Sequence, residues 1–453
     1  MTSIRQEVST LSRLAWPVVA AQLGFMSFAL VDMAMLGRLG AREMGAVALA
    51  ETILFGTMMI AIGLVHGIDP LVSQAHGAGD GAAAGRALQH GIVVALLASV
   101  PVALAWLHVD TLLALTDQSP DLAALGQSYA TPQAWSVPFG LASIALRGYV
   151  QGRGIMMPPL YAILVTNLLN VFLNWVLIFG KLGMPAMGVE GAGIATAIAR
   201  AAMLVVLALL VFGRGLHRGA WTPWSLKAFA IRPTLSIGVP VAVQLGLEAW
   251  AFNLSTQIAG RLGEATVAAH AVVLKLASFT FMVPLGISTA AATRVGNRIG
   301  AGDAPGAQHS AFVALGLGAG VMGVSALAFL LVPGVLASLL TTKQEVIAIA
   351  LTIFPIAAAF QIFDGTQVVG GGILRGMGTP RPAAIFNLLG YFAVALPLGC
   401  TLAFRGHMGV RGVWIGLAAG LASVAVLLVA WIAYRGPLRK GSAASESAMS
   451  AVE

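Results

Sequence analysis

Cysteine is nearly absent from the chain, and charge is scarce. The one thiol, Cys400, excludes an internal disulfide and a cysteine-based metal cluster. It lies in an apolar run and reads as a small packing residue. Asp, Glu, Lys and Arg make up only 9% of 453 residues, far below ordinary soluble proteins. There is no HExxH and no GxSxG, which removes two hydrolase templates. No Walker lysine follows the glycine-rich stretch at Gly77–Gly81, which argues against an ATP-driven pump.

What the chain has instead is apolar length. Hydrophobic residues make up 58%, and the mean hydropathy is +0.90. A membrane-spanning helix needs roughly 20 mostly apolar residues. About twelve such stretches occur, near 14–36, 46–69, 88–107, 122–146, 159–180, 189–212, 234–258, 266–290, 310–332, 346–370, 383–403 and 410–434. Their length and the missing period-2 alternation favour helices over a barrel. Arg5 and Arg13 before the first run imitate a signal peptide, but the run outlasts a typical ~7–15-residue apolar region and reads as a retained span.

The net charge of +8 reflects loop asymmetry rather than nucleic-acid binding. With the N-terminus placed inside, the inner loops and tails hold sixteen Lys and Arg against seven outside. That predicts a multi-pass membrane protein with both termini in the cytoplasm and an even number of spans.

The chain repeats itself. Pro17 and Pro240 are 223 residues apart, as are Arg38-Leu39-Gly40 and Arg261-Leu262-Gly263, and the GAGD copies at Gly77–Asp80 and Gly300–Asp303. Gly152-Arg153-Gly154 matches Leu374-Arg375-Gly376, and Gly188–Gly191 matches Gly409–Gly412, as the offset drifts to 222 and 221. Six spans per half gives two parallel six-helix repeats, a plan that forms two lobes around a central cavity and works by alternating access. The expected organisation is an N-terminal lobe at 1–213, a cytoplasmic linker at 214–232, a C-terminal lobe at 233–436 and a disordered tail at 437–453. A cavity shared by two lobes needs one chain, which predicts a monomer.

Three carboxylates, Asp32, Glu248 and Asp364, sit inside apolar segments. A charge at bilayer mid-depth costs about 2.5–3.5 kcal/mol even on the lenient insertion scale, and such residues usually serve ions or substrate. Gln244 and Glu248 are i,i+4, and Gln361, Asp364 and Gln367 step by three, so each set lines a helix face. Asn167, Asn170 and Asn174 form a further stripe, with Thr196 in the following span. Glu51 and Lys275 read as snorkelling residues or a structural ion pair, and His270 as a satisfied interior histidine. Phe252, Phe360, Phe363 and Trp250 neighbour the central carboxylates, and aromatic faces attract organic cations.

Burial disfavours a charged carboxylate, so such groups can exchange a proton for a cationic substrate. Asp32, Asn170, Asn174 and Thr196 also supply the oxygen set that Na⁺ prefers. The residues leave H⁺ and Na⁺ both open as coupling ion. No other cofactor is expected.

The stretches VDMAMLGRLG, QAHGAGDG, NLLNVFLNWVLIFGKLGMP with GVEGAGIATAIA, QLGLEAWAF and FQIFDGTQVVGGGILRGMGTP run in order from residue 31 to 380. In these the chain resembles the multidrug and toxic compound extrusion (MATE) family, most like its NorM-type branch. The resemblance implies twelve helices, two lobes, and efflux of cationic amphipathic compounds against H⁺ or Na⁺. It also implies roles for Glu248 and Asp364 in the seventh and tenth spans, for Asp32 in the first lobe, and for the pair Asn170 and Asn174.

Three rivals are weaker. A lipid-linked-sugar flippase of related architecture would line its cavity with basic residues, whereas the mid-span charges here are mainly acidic. An intramembrane GxGD enzyme would need a Tyr-Asp partner; the two GAGD copies read as glycine-rich turns. A channel would need a continuous pore, and saturable exchange would argue against it.

Overall fold

The structure is a computed structural model describing residues 3–115, 119–224 and 231–439. Residues 225–230 of the expected linker and the expected tail from 440 onward lie outside the described residues.

The described residues are helical, with no strand among them. The first half comprises α1 (Ile4–Leu36), α2 (Ala41–Val65), α3 (Ile68–Gly77), α4 (Gly81–Trp106) and α5 (Val109–Ala114). It continues with α6 (Pro120–Ala134), α7 (Val137–Gly152), α8 (Met157–Phe179) and α9 (Gly188–Ala208). The second half comprises α10 (Arg232–Gly260), α11 (Glu264–Gly300), α12 (Ala304–Leu331), α13 (Pro333–Ser338) and α14 (Gln344–Gly376). It ends with α15 (Arg381–Asn387), α16 (Leu396–Cys400) and α17 (Val410–Arg435). Wider π-helical turns at Leu388–Ala395 and Thr401–Arg405 extend α15 and α16 into one span.

Among the described residues, eleven helical segments are long and apolar enough to cross a bilayer. The twelfth is the pair α6 and α7, interrupted at Trp135 and Ser136, with Pro138 in the first turn of α7. Proline cannot supply a backbone N–H, so it suits a fresh helix start and splits the apolar run. The repeat-equivalent α14 runs unbroken through Pro355. Large apolar side chains such as Leu168, Val324 and Leu331 point outward, as lipid solvation favours.

Both GAGD copies are helix starts. Asp80 accepts from the Ala83 N–H at 2.8 Å, and Asp303 accepts from the Gly306 N–H at 2.9 Å. These side chains satisfy N–H groups that a first helical turn leaves unpaired. Gly79 and Gly302 precede them at φ +75°, a left-handed conformation that glycine adopts without strain. The paired aspartates thus terminate loops, as the turn reading expects.

By internal packing the chain forms two compact units. The first-half unit holds 20–72 and 80–242; the second-half unit holds the described residues of 1–19, 73–79 and 243–453. In the second-half unit α14 packs on α11, α12 and α17. Its core includes Phe354, Phe360, Trp414 and Leu417. The start of α1 is fixed there by Glu7, which is fully buried. Glu7 accepts from Arg294 at 2.9 and 3.2 Å, from Arg298 at 2.7 Å and from Ser310 at 2.6 Å. Arg298 in turn reaches Asp303 at 3.0 Å.

In the first-half unit the chain after α9 folds back on the helix ends. The Leu216 carbonyl accepts from Arg153 at 2.6 Å, that of Ala220 from Tyr149 at 2.6 Å, and that of Thr222 from Gln89 at 2.6 Å. Trp221 stacks edge-on against Phe212. This part of the linker is a docked cap.

Candidate ion and substrate stations

The first-half station centres on Asp32, near the end of α1 and 5% exposed. One carboxylate oxygen accepts from the Asn174 amide, the other from the Thr196 hydroxyl at 2.9 Å. Asn174 also donates to Asn170 Oδ1 at 3.2 Å, one turn away on α8. Asn167, the third member of the stripe, instead donates to the Gly24 carbonyl at 2.9 Å and ties α8 to α1. All four expected residues (Asp32, Asn170, Asn174 and Thr196) therefore meet.

They can supply oxygens to a hard cation. Asn174 turns its NH₂ toward Asp32, while its Oδ1 is buried without a protein partner. With a cation between them, a rotated Asn174 amide would turn that oxygen to the same ion as the carboxylate, since the two amide orientations are near-isosteric.

Beside this station lie residues the sequence did not single out. Tyr129 donates to Glu51 at 2.7 Å. The Arg200 guanidinium stacks over Trp106 at 5.1 Å from the ring centre. It lies within electrostatic reach of Glu51 and Asp32. Glu51 is thus partnered by a tyrosine of its own unit, and Lys275 is exposed.

The second-half station joins Glu248 on α10 to α14. Asp364 is 4% exposed and Gln367 fully buried. Asp364 lies within electrostatic reach of Glu248. Gln367 donates to Glu248 and to Asn387 Oδ1, both at a long 3.4 Å. The remaining Gln367 and Asn387 amide atoms and the Tyr391 hydroxyl are buried without protein partners. Buried polar atoms are rarely left so, which marks them as groups for water, ion or substrate.

The other expected cavity residues divide. Phe252 stacks edge-on with Phe360 at 6.2 Å and with Tyr391 at 6.0 Å, so these rings wall the station. Gln244 packs over Gly371 of α14. Gln361 is taken up by Thr280 at 2.8 Å and Ser325 at 3.1 Å. Phe363 packs at the edge of the apolar core. Trp250 is 54% exposed and stands away from the station. His270 is buried, bonds Thr256 through Nε2 at 3.2 Å and packs on Trp414, so it is interior as expected, but its buried Nδ1 has no protein partner and the ring is only half satisfied.

Glu7, Tyr129, Arg200, Asn387 and Tyr391 were missed. Arg200 alone left a signal, being an arginine one helical turn after Thr196 within an apolar span.

The MatE family profile matches residues 17–176 and again 240–401. Each match begins at the repeat-equivalent proline. A probable multidrug resistance protein NorM of Bradyrhizobium diazoefficiens is 35% identical over 424 residues, covering 92% of this chain and 91% of that protein. Its namesake from Rhodopseudomonas palustris is also 35% identical, covering 92% and 89%. The crystal structure of the eukaryotic MATE transporter AtDTX14 superimposes with a TM-score of 0.89 at 25% identity, over 98% of this chain and 99% of that one. Duplicated profile, shared length and shared fold agree: the chain belongs to the MATE family of membrane transporters.

Proposed function

We infer that this chain is a secondary active multidrug exporter, exchanging amphipathic organic cations for H⁺ or Na⁺ by alternating access. The observation that carries this reading is the second-half station. Glu248 and the buried Asp364 share this station with unpartnered amide and hydroxyl groups, and two neighbouring carboxylates out of water are a place that either a proton or a cation would stabilise. Phe252 and Phe360 offer aromatic faces to the apolar part of such a cation. The NorM relatives are named as probable multidrug resistance proteins, which supports the export part of this reading.

In this reading Asp32, Asn170, Asn174 and Thr196 form a second ion station. Inward movement of each counter-ion charge yields about 2.3 kcal/mol per 100 mV. The exporter acts as a monomer in the bacterial inner membrane, with both termini cytoplasmic. It needs no cofactor beyond its coupling ion.

The test uses purified full-length protein in liposomes loaded with a fluorescent organic cation. Imposed H⁺ and Na⁺ gradients are applied in turn. Accelerated, saturable extrusion under one of them supports exchange and names the ion. Extrusion indifferent to both refutes coupled export.

A further inference from the structure

A cavity of about 380 Å³ opens at one end of the second-half unit, lined by Met377, Thr379, Trp431, Arg435 and Arg439. It is the end that also carries Arg375 and Arg381. The guanidinium of Arg435 lies over Trp431, 5.9 Å from the ring centre. Trp431 is held from behind by Phe386, edge-on at 6.0 Å. Thr379 brings a buried hydroxyl that has no protein partner. Exposed Tyr434 and Leu438 flank the opening.

The internal repeat shows what is distinctive about this place. Arg435 and Arg439 correspond to Arg214 and Arg218, each 221 residues earlier. In the first half the chain turns back beyond Arg214, and the linker carbonyls of Leu216 and Ala220 accept from Arg153 and Tyr149. In the second half the corresponding position, Pro437–Arg439, is a helical turn. Around it lies the basic cavity, where the first half has its cap of carbonyl oxygens.

We propose that this cavity binds a phosphate group, presented by the headgroup of an anionic phospholipid. Arginine matches phosphate because its planar fork donates two parallel hydrogen bonds. Basic pockets between membrane helices suit such headgroups. A tryptophan at the mouth favours the membrane–water boundary, where headgroup phosphates lie. Tyr434 and Leu438 are placed to meet the glycerol and upper acyl region of the same lipid. A freely diffusing phosphate would use the arginines alone. This site is separate from the carboxylate stations and stands whether or not the transport reading holds.

The experiment is native mass spectrometry of the detergent-purified full chain, titrated with short-chain phosphatidylglycerol or phosphatidylcholine. One phosphatidylglycerol should be retained in preference to phosphatidylcholine. Arg435→Gln should weaken that adduct about fivefold, the effect of one surface basic residue on anionic lipid. Arg439→Gln should do likewise, while Arg435→Lys falls between. Arg405→Gln, at the opposite end of the span Arg381–Arg405, should change nothing.

An Arg435→Gln variant with an unchanged thermal midpoint and undiminished lipid retention overturns the proposal. So does an equal loss in Arg405→Gln. Stabilisation by inorganic phosphate that Arg435→Gln abolishes, with no lipid adduct, overturns the lipid source. A chain ending at Arg439 should bind phosphatidylglycerol at least as well. Loss of binding in that chain would assign the site to the tail and also overturn the proposal.

Discussion

The two carboxylate stations differ in how completely they are satisfied. Asp32 has both oxygens occupied, by Asn174 and Thr196, and the amide of Asn170 braces the arrangement. Glu248 has one long contact from Gln367, and an orphaned tyrosine hydroxyl and amide atoms lie around it and Asp364. A carboxylate held by short, charge-assisted hydrogen bonds resists rearrangement; one held loosely is free to trade partners. Within the proposed exporter, the contrast assigns cargo exchange to Glu248 and Asp364 and a small ion to Asp32.

Glu7 calibrates that contrast, because it is a carboxylate wholly committed to structure. Glu7→Ala leaves Arg294 and Arg298 without their shared partner and should cost about 3–5 kcal/mol. A drop in the thermal midpoint of purified protein would show it; an unchanged midpoint would mean that buried pairing is no guide to role here. The combined change Glu248→Gln and Asp364→Asn should leave that midpoint near wild type. It should nevertheless slow dye extrusion from liposomes at least 30-fold, about 2 kcal/mol of lost charge recognition. Near-normal extrusion would erase the distinction between the stations.

Asp32→Asn should act differently again. Extrusion should fall about tenfold, near 1.4 kcal/mol, while equilibrium binding of the dye stays within a factor of two to three. Loss of dye binding equal to that in the Glu248 variant would place cargo at both stations. Thr196→Val removes one donor to Asp32 and should have the smallest effect. A hydrogen bond to a charged group contributes about 1.5–3 kcal/mol net to stability, but Asn174 stays in place and the loss falls only in part on transport. The expected change is therefore a shifted counter-ion dependence with less than tenfold loss of rate. An unaltered ion dependence would make Thr196 a packing residue.

The fold was legible where a residue's meaning is local. Glycine, proline and aspartate mark helix ends by their own backbone and capping preferences, so GAGD, Pro17 and Pro240 revealed the duplication. The break between α6 and α7 was not legible, since apolar composition runs straight through Trp135 and only Pro138 hints at it. At the stations the i,i+3 and i,i+4 spacings found the members lying on one helix. They could not find Tyr129, 78 residues from Glu51 along the chain, or Asn387, 20 residues from Gln367. Those meetings arise from packing between helices, which one-dimensional spacing does not encode. Glu7 was hidden for a different reason: beside Arg5 in a charged terminal segment, it resembled a solvated end.

The docked segment after α9 bears on how this protein can be taken apart. Gln89, Tyr149 and Arg153 each spend a donor on one of its carbonyls. A protease site or reporter domain spliced between residues 214 and 222 would put three hydrogen bonds at risk, one buried and two partly buried. Anyone hoping to express the halves from separate genes should therefore keep that stretch with the leading fragment, as its lid rather than as spare string.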